Sequence, residues 1–244
     1  MWRAFALEDL RQQYGRTFFG IGWIAISFAI LVAIKGVFFS VFSARPMGEF
    51  TLYVALGFLV YQFIVGNLNA GCNLFTQNAA WMKSGPIPYS VFVFQGAAKQ
   101  CILFAGNATV VIAALAALRP EVTWSAAMAL PALIIYFATA LWLQLLFGLI
   151  SARIRDFAQL VASATRMLFF ITPIIWTYDE AVGIRQAIAF YNPLTHYIEI
   201  LRAAVLSGDI SATSWAIVGG ITVTGLIAAF SAFALLRHRI PYWI

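Results

Sequence analysis

Residues that could support acid–base, nucleophilic or metal chemistry are sparse in this sequence, and their spacing favours none of these reactions. All nine aspartates and glutamates lie outside the apolar runs, and Asp179-Glu180 is the only adjacent acidic pair beyond the N-terminal tail. Adjacent residues of a helix do not share a face, so this pair does not indicate a metal site or a general acid and base. The two histidines, His196 and His238, are isolated from each other. We therefore predict no catalytic site and no metal site.

Two further absences bear on how such a protein would obtain energy. The sequence has no GxxxxGK[ST] motif, the loop with which many proteins cradle ATP phosphates. No apolar run carries the acidic residue with which proton- and sodium-coupled transporters usually bind their ion. Carbonyl groups of a broken helix could still bind sodium, so that alternative stays open. If the chain takes part in active transport, we expect a separate chain to supply the energy, and we predict no cofactor for this one.

The elements that carry these residues are predicted to be membrane helices. The composition is 63% hydrophobic and 10% charged, far from that of a soluble globular protein. The apolar runs are continuous and long enough to cross a bilayer, so the predicted fold is an all-α membrane protein with one domain, 1–244. The predicted parts are an interfacial helix (1–18), six spans (about 20–43, 51–71, 90–118, 125–150, 158–177 and 213–236), a segment between the last two spans (178–211) and a tail (237–244).

The basic residues indicate how the chain is oriented. The net charge is +6, and placing the N-terminus inside puts most of the basic residues in the inner segments. The positive-inside rule therefore predicts that both termini are cytoplasmic, and it explains the charge without nucleic-acid binding.

Two inner segments have a character of their own. The first, residues 1–18, combines apolar residues with Arg11 and Arg16. This combination suits a helix on an anionic membrane surface, or a basic flank that orients the first span. The second is the loop at 73–89, where two prolines fix a rigid entry into the third span. A short helix at 74–83 could dock a cytoplasmic partner, or the loop could be a simple turn.

The segment 178–211 contains a helix too short to cross a bilayer. Asn192 suits the N-cap of a helix, and Pro193 suits its first position. His196, Glu199 and Arg202 share one face at helical spacing, opposite an apolar face. We expect the segment either to dip into the membrane and return or to lie flat on the outer surface.

The spans contain few polar or aromatic features that stand out. Lys35 is expected to contact protein, water or a polar cargo, or to extend toward a head group. Phe169, Thr172 and Trp176 recur along one stripe of the fifth span, where an aromatic wall can stack on sugar faces or simply contact lipid. Thr172-Pro173 is expected to kink this span near its outer end.

The order of these motifs resembles that of a known family. The strongest parts are Ala152-Arg153-Ile154-Arg155-Asp156-Phe157 through Phe170-Ile171-Thr172-Pro173-Ile174-Ile175-Trp176, then Tyr191-Asn192-Pro193 and Tyr197-Ile198-Glu199-Ile200-Leu201-Arg202. Leu10-Arg11-Gln12-Gln13-Tyr14-Gly15-Arg16 with Gly20-Ile21-Gly22-Trp23 is similar to the family's opening. The chain resembles, over its whole length, the permease of ABC transporters that export bacterial O-antigen, capsule or teichoic-acid chains. The family often has a proline soon after this tryptophan, and Ser27-Phe28-Ala29 has none, so the first helix is expected to start or bend differently.

The resemblance implies a bacterial inner-membrane protein that forms a homodimer, carries polyprenyl-diphosphate-linked polysaccharide and works with two copies of a separate ATPase subunit that bind ATP and Mg. It also implies roles for individual residues. These are channel lining (Trp23, Lys35, Phe169, Thr172, Trp176), outer gate (Tyr178, Tyr191, Asn192, Pro193, His196, Glu199, Arg202), ATPase coupling (Trp81, Met82, Lys83, Pro86, Pro88), contact with the lipid diphosphate or interface (Arg11, Arg16) and an inner-surface network (Arg153, Arg155, Asp156). A surface ion-pair network without a transport role is an equal alternative for the last group.

Two other functions remain as hypotheses. One is the permease of an ABC exporter for drugs or other lipids, against which the short outer helix and the aromatic fifth span argue. The other is a membrane enzyme acting on polyprenyl lipids, which the lack of spaced acidic residues disfavours.

Overall fold

The fold is known from a computed structural model of the chain, which describes residues 2–15, 17–43, 45–85, 87–118, 124–177 and 182–243. Within these ranges the chain is helical and contains no strand, which confirms the all-α prediction. Arg16, Pro86 and Tyr178, which carry predicted roles, lie outside the described residues. The α-helices are α1 (Trp2–Tyr14), α2 (Trp23–Ser40), α3 (Met47–Gln77), α4 (Ala79–Ser84), α5 (Tyr89–Leu118), α6 (Ala129–Arg153), α7 (Asp156–Ile171), α8 (Ile184–Tyr191), α9 (Pro193–Leu206), α10 (Ala212–Leu236) and α11 (Ile240–Trp243).

Five helical stretches among the described residues are long and apolar enough to cross a membrane. They are Gly20–Ser40, Met47–Ser84, Tyr89–Leu118, Trp124–Arg153 and Ala212–Trp243. Each overlaps a predicted span, so these five spans were predicted at nearly their observed positions. The remaining predicted span, 158–177, corresponds to α7, whose 16 residues rise only about 24 Å at 1.5 Å per residue.

The difference at α7 has a local cause. Its helix ends at Ile171, and Thr172 is extended, with φ −86° and ψ 136°. A residue before proline is disfavoured in the helical region, because the proline ring meets its backbone. The predicted kink is therefore wrong in form: Pro173 ends the helix, and residues 172–177 follow as a turn.

The bundle is organised around α3. Most of its length is buried, and it packs against α2, α5, α6, α7 and α9. In contrast, α5 and α10 bury few residues of their apolar windows and expose the rest. Exposed apolar side chains on helices whose backbone groups are paired internally suit contact with lipid. The core therefore lies along α3, and the other long helices present an apolar outer surface.

The short helices lie at two ends of this bundle. The α1 end holds α1, which packs on α5, together with α4 and α11. The α9 end holds α8, α9 and the 3₁₀ helix Trp124–Met128, which packs on α9. The sequence thus predicted both an N-terminal helix and short helices between the last two predicted spans, and its Asn192-Pro193 cap marks the boundary between α8 and α9.

Candidate functional site

The turn after α7 and the start of α9 are joined through Asn192. Its side-chain oxygen accepts a hydrogen bond from the backbone N–H of Leu194 at 3.0 Å, as expected of an N-cap. Its Nδ2 donates to Oγ1 of Thr172 at 2.8 Å. Thr172 is fully buried, and its hydroxyl donates to the carbonyl of Leu168 at 2.6 Å. Thr172 therefore fastens the end of α7 to α9.

Arg202 is the central polar contact at the α9 end. The residue is 2% exposed, and its guanidinium lies 3.6 Å from the ring centroid of Tyr53 on α3. Its Nη1 donates to Oε1 of Glu199 at 3.0 Å and to the carbonyl of Pro173 at 2.9 Å. The guanidinium is close to α3 because Gly57 has no side chain; a Cβ there would overlap Nη2. One cation thus connects α9, α3 and the turn after α7.

His196 connects α9 to α8 and α10. Its Nε2 lies 2.8 Å from the carbonyl oxygen of Phe190, and its Nδ1 lies 3.0 Å from the hydroxyl of Ser214. A carbonyl only accepts, so Nε2 carries the proton, and in the neutral ring Nδ1 accepts from Ser214. His196 therefore holds α9 against α8 and α10.

A buried hydroxyl network fastens α9 to α6 and α10. The Tyr197 hydroxyl lies 3.2 Å from Oγ1 of Thr139 and 3.1 Å from Oγ1 of Thr222, and the two threonines lie 3.1 Å apart. The Tyr136 hydroxyl donates to the backbone carbonyl of Tyr197. The sequence analysis did not identify Tyr136, Thr139 or Thr222. These residues could have been found as polar groups inside apolar spans, because a polar group surrounded by lipid needs a hydrogen-bond partner in the protein.

A cavity of about 390 Å³ lies at the α9 end. Its wall includes Tyr53, His196, Glu199, Arg202 and Ser214. Three described residues predicted for the gate, Tyr191, Asn192 and Pro193, do not line it, and Tyr191 is 82% exposed at the end of α8. Of the six described residues predicted for the gate, the structure therefore groups three around this cavity: His196, Glu199 and Arg202.

The residues predicted to line a channel fall into three places. The Lys35 ammonium lies 4.6 Å from the ring centroid of Phe58 and 4.3 Å from that of Phe169, so α2, α3 and α7 meet there. Trp23 lies at the start of α2, in edge contact with Phe19 at 5.5 Å. The carbonyl of Trp176 accepts a hydrogen bond from Tyr53 at 3.3 Å. Beside Phe169, an open groove of about 670 Å³ runs along α3 and α7, with Tyr61, Thr165 and Arg166 in its wall.

At the α1 end, the predicted coupling residues lie on and after α4. Trp81 is 54% exposed and packs on Phe5 of α1 at 5.8 Å between ring centroids. Met82 is half-buried, and Lys83 and Pro88 are exposed. Because Phe5 and Trp81 touch, α1 and α4 form one surface at this end.

The predicted basic residues at this end are mostly exposed. Arg11 lies in the last turn of α1. Arg153 lies over the ring of Trp243 at 6.0 Å, whereas Arg155 and Asp156 are exposed at the start of α7. Among the described residues, Asp156 forms no ion pair with either arginine. The structure therefore shows these three charges close in sequence but not as an ion-pair network.

Comparison with known proteins adds to this geometry. No protein-family model matches the chain. The chain is similar to an O-antigen export system permease protein, RfbA, of Klebsiella pneumoniae, with 22% identity over 240 residues, covering 95% of this chain and 90% of that protein. A second RfbA of the same species is 20% identical over 234 residues, with the same coverage. Similarity along nearly the full length of both proteins, together with five apolar helices, confirms the resemblance predicted from the motifs: the chain is similar to the permeases of O-antigen export systems.

Proposed function

We propose that this chain is the membrane-spanning subunit of an ATP-driven exporter that moves lipid-linked, O-antigen-like polysaccharide from the cytoplasm across the inner membrane. The observation that carries the proposal is the similarity to O-antigen export permeases over 95% of the chain. Similarity that extends through every long helix supports a shared architecture rather than one shared motif.

A separate ATPase subunit supplies the energy in this proposal, and ATP and Mg bind there. The sequence contains no P-loop, so nucleotide binding requires another chain. The surface formed by α1 and α4 suits the docking of that subunit, because Trp81 and Lys83, two residues apart on α4, are both exposed. Exposed aromatic residues are typical anchors of protein interfaces. This end is then cytoplasmic, as the charge distribution predicts.

The conduit is proposed to form between two copies of the chain, with α7 as the sixth span. One face of α7 is unburied and apolar, with Leu160, Met167 and Phe170 more than 60% exposed beside the groove. Aromatic and hydroxyl groups in that groove contact a glycan without reading one sugar identity. Such weak, tolerant contacts suit a polymer that must pass through.

The α9 end is proposed to form the outer gate, with α8 and α9 entering the membrane edge without crossing it. Irregular backbone at membrane depth is tolerated only where protein or water surrounds it. The turn after α7 meets this condition where Arg202 and Tyr53 donate to the backbone carbonyls of Pro173 and Trp176.

Deleting the gene tests the proposal. We expect surface glycan to disappear while lipid-linked polymer accumulates in the cytoplasm, and a plasmid copy of the wild-type chain to restore export. Normal surface glycan would favour the drug or lipid exporter instead. Loss of the lipid-linked polymer itself, without accumulation, would favour the enzyme.

Reconstitution tests the source of energy. Proteoliposomes containing the chain with its ATPase partner should move the glycolipid when ATP is added, and the chain alone should not. Uphill movement by the chain alone, or movement driven by a pH gradient, would contradict the proposal.

A further inference from the structure

A polar cavity of about 430 Å³ lies at the α1 end, between α1, α3 and α5. Its wall is dominated by side-chain carboxamides, among them Gln13, Asn69, Asn73, Gln95 and Gln100. Carboxamides both donate and accept hydrogen bonds, so this wall suits a ligand with donors and acceptors close together. It shares Asn69 with the groove along α7 and no lining residue with the cavity at the α9 end.

Two opposite charges line this cavity without pairing with each other. Oδ2 of Asp9 accepts a hydrogen bond from Nε2 of Gln95 at 2.9 Å. Lys99 lies four residues after Gln95 on α5, so their Cβ atoms are about 6 Å apart on one face. In the described part of the chain, the Lys99 ammonium has no ion pair and no hydrogen-bond acceptor. The cavity wall thus carries a carboxylate and an ammonium that do not pair with each other.

A buried acceptor at the cavity wall also lacks a donor. Gln144 is fully buried, and its Nε2 donates to Oδ1 of Asn67 at 2.8 Å. Its Oε1 has no hydrogen-bond partner among the described residues and lies against Gly96, which also lines the cavity. Leaving a buried acceptor without a donor destabilises the protein, because the acceptor has lost its hydrogen bonds to water. A ligand that brings N–H groups into this cavity would reduce that cost.

A second cavity of about 390 Å³ adjoins the polar cavity along α2, α3 and α5. The two share Gly66, Gln100 and Leu103, and aromatic rings such as Phe63 and Phe104 line the second. Two polar residues of the second cavity bond to each other: Nδ2 of Asn107 donates to Oε1 of Gln62 at 3.0 Å. From Gln77 to Leu59 the two cavities follow α3 for about 27 Å at 1.5 Å per residue. One leaflet with its head groups is about 20 Å thick, so a whole lipid fits this length.

We propose that the two cavities together bind one molecule of phosphatidylethanolamine from the leaflet at the α1 end. Its phosphate lies at Lys99, its ammonium lies at Asp9, and one acyl chain follows the second cavity. Among phospholipids, phosphatidylcholine has no N–H donor, and phosphatidylglycerol has no cation for Asp9. The lipid is a resident ligand and not the cargo, so the proposal does not depend on the proposed function.

Native mass spectrometry of the full chain, purified in detergent, tests the site. An equal mixture of phosphatidylethanolamine and phosphatidylcholine with the same acyl chains is added. We expect at least tenfold more bound phosphatidylethanolamine for the wild type, and a ratio within twofold of one for Asp9→Asn and for Lys99→Gln. The matched controls are Glu8→Gln on α1 and Lys83→Gln on α4, both exposed, and both should keep the wild-type ratio.

Two further arms separate the head group from the tail. Leu103→Trp, which fills the apolar cavity, should lower phosphatidylethanolamine retention at least fivefold even if Asp9→Asn fails to fold. Soluble glycerophosphoethanolamine at the same concentration should not displace the lipid. Three results would overturn the proposal. The wild type could show no preference for phosphatidylethanolamine, or it could retain phosphatidylglycerol equally well. The control variants could also lose as much bound phosphatidylethanolamine as the Asp9 and Lys99 variants do. The assay contains neither cargo nor ATPase, so its result is independent of whether the chain exports polysaccharide.

Discussion

The two short helices at the α9 end differ sharply, although they are consecutive in sequence. Ten of the 14 residues of α9 are buried, and its polar side chains reach α3, α6 and α10. Of the eight residues of α8, only Ala189 is buried. α8 is amphipathic yet has little protein to pack against, whereas α9 is surrounded. The comparison teaches that α9 is part of the fixed core, and that α8 is the segment of this end with the fewest contacts to break when it moves.

The largest test of this contrast is Arg202→Met. The change leaves Glu199 and the carbonyl of Pro173 without their donor, so we expect a loss of about 3–5 kcal/mol in the free energy of unfolding. Denaturant unfolding in mixed micelles measures it. The matched control is Arg185→Met, which removes an exposed arginine of α8 and should change stability little. Equal losses in the two variants would contradict the contrast.

Asn192→Ala should have the next largest effect. It removes the N-cap of α9 and the hydrogen bond to Thr172, which together predict a loss of about 2 kcal/mol. The same unfolding measurement applies, with Gln186→Ala on the exposed face of α8 as the control. A loss below that of the control would mean that the end of α7 is not fastened to α9.

Tyr197→Phe sharpens the comparison at a single hydroxyl. Thr139 and Thr222 still bond to each other in the variant, so we expect a loss of only about 1 kcal/mol. Tyr191→Phe is the corresponding change at the end of α8, where the tyrosine is 82% exposed, and it should be neutral. If Tyr191→Phe cost as much as Tyr197→Phe, α8 would have buried partners in the protein.

The smallest expected effect is that of Ile184→Ala. This first residue of α8 is 79% exposed, and truncating it should change the free energy of unfolding by less than about 0.5 kcal/mol. A loss above about 2 kcal/mol would be typical of a core position and would show that α8 is packed in the protein.

The sequence predicted the long helices because their apolar runs are continuous, and it predicted the start of α9 because Asn192 and Pro193 carry cap chemistry. It also placed Glu199 and Arg202 on one face of the helix by their spacing, and in the structure the two form an ion pair. These are local signals, which act within a few residues of one helix.

The partners of these residues on other helices could not be predicted. Nothing near Arg202 in the sequence indicates that Tyr53 stacks on it, since that contact depends on how α3 and α9 are rotated. The contact between Thr139 and Thr222 could not be predicted either. An apolar run of uniform composition does not reveal which of its faces meets protein. For α7, the pre-proline effect at Thr172 was recognised as a bend, and only the structure shows that the helix ends there.

The close approach of Arg202 to Gly57 makes two distant positions depend on each other. Any side chain at 57 would push the guanidinium off the face of Tyr53, so Gly57→Ala should be harmful while Arg202 is present. With a shorter residue at 202, the same methyl group would fill vacated space. Homologous chains should therefore change these two positions together or keep both.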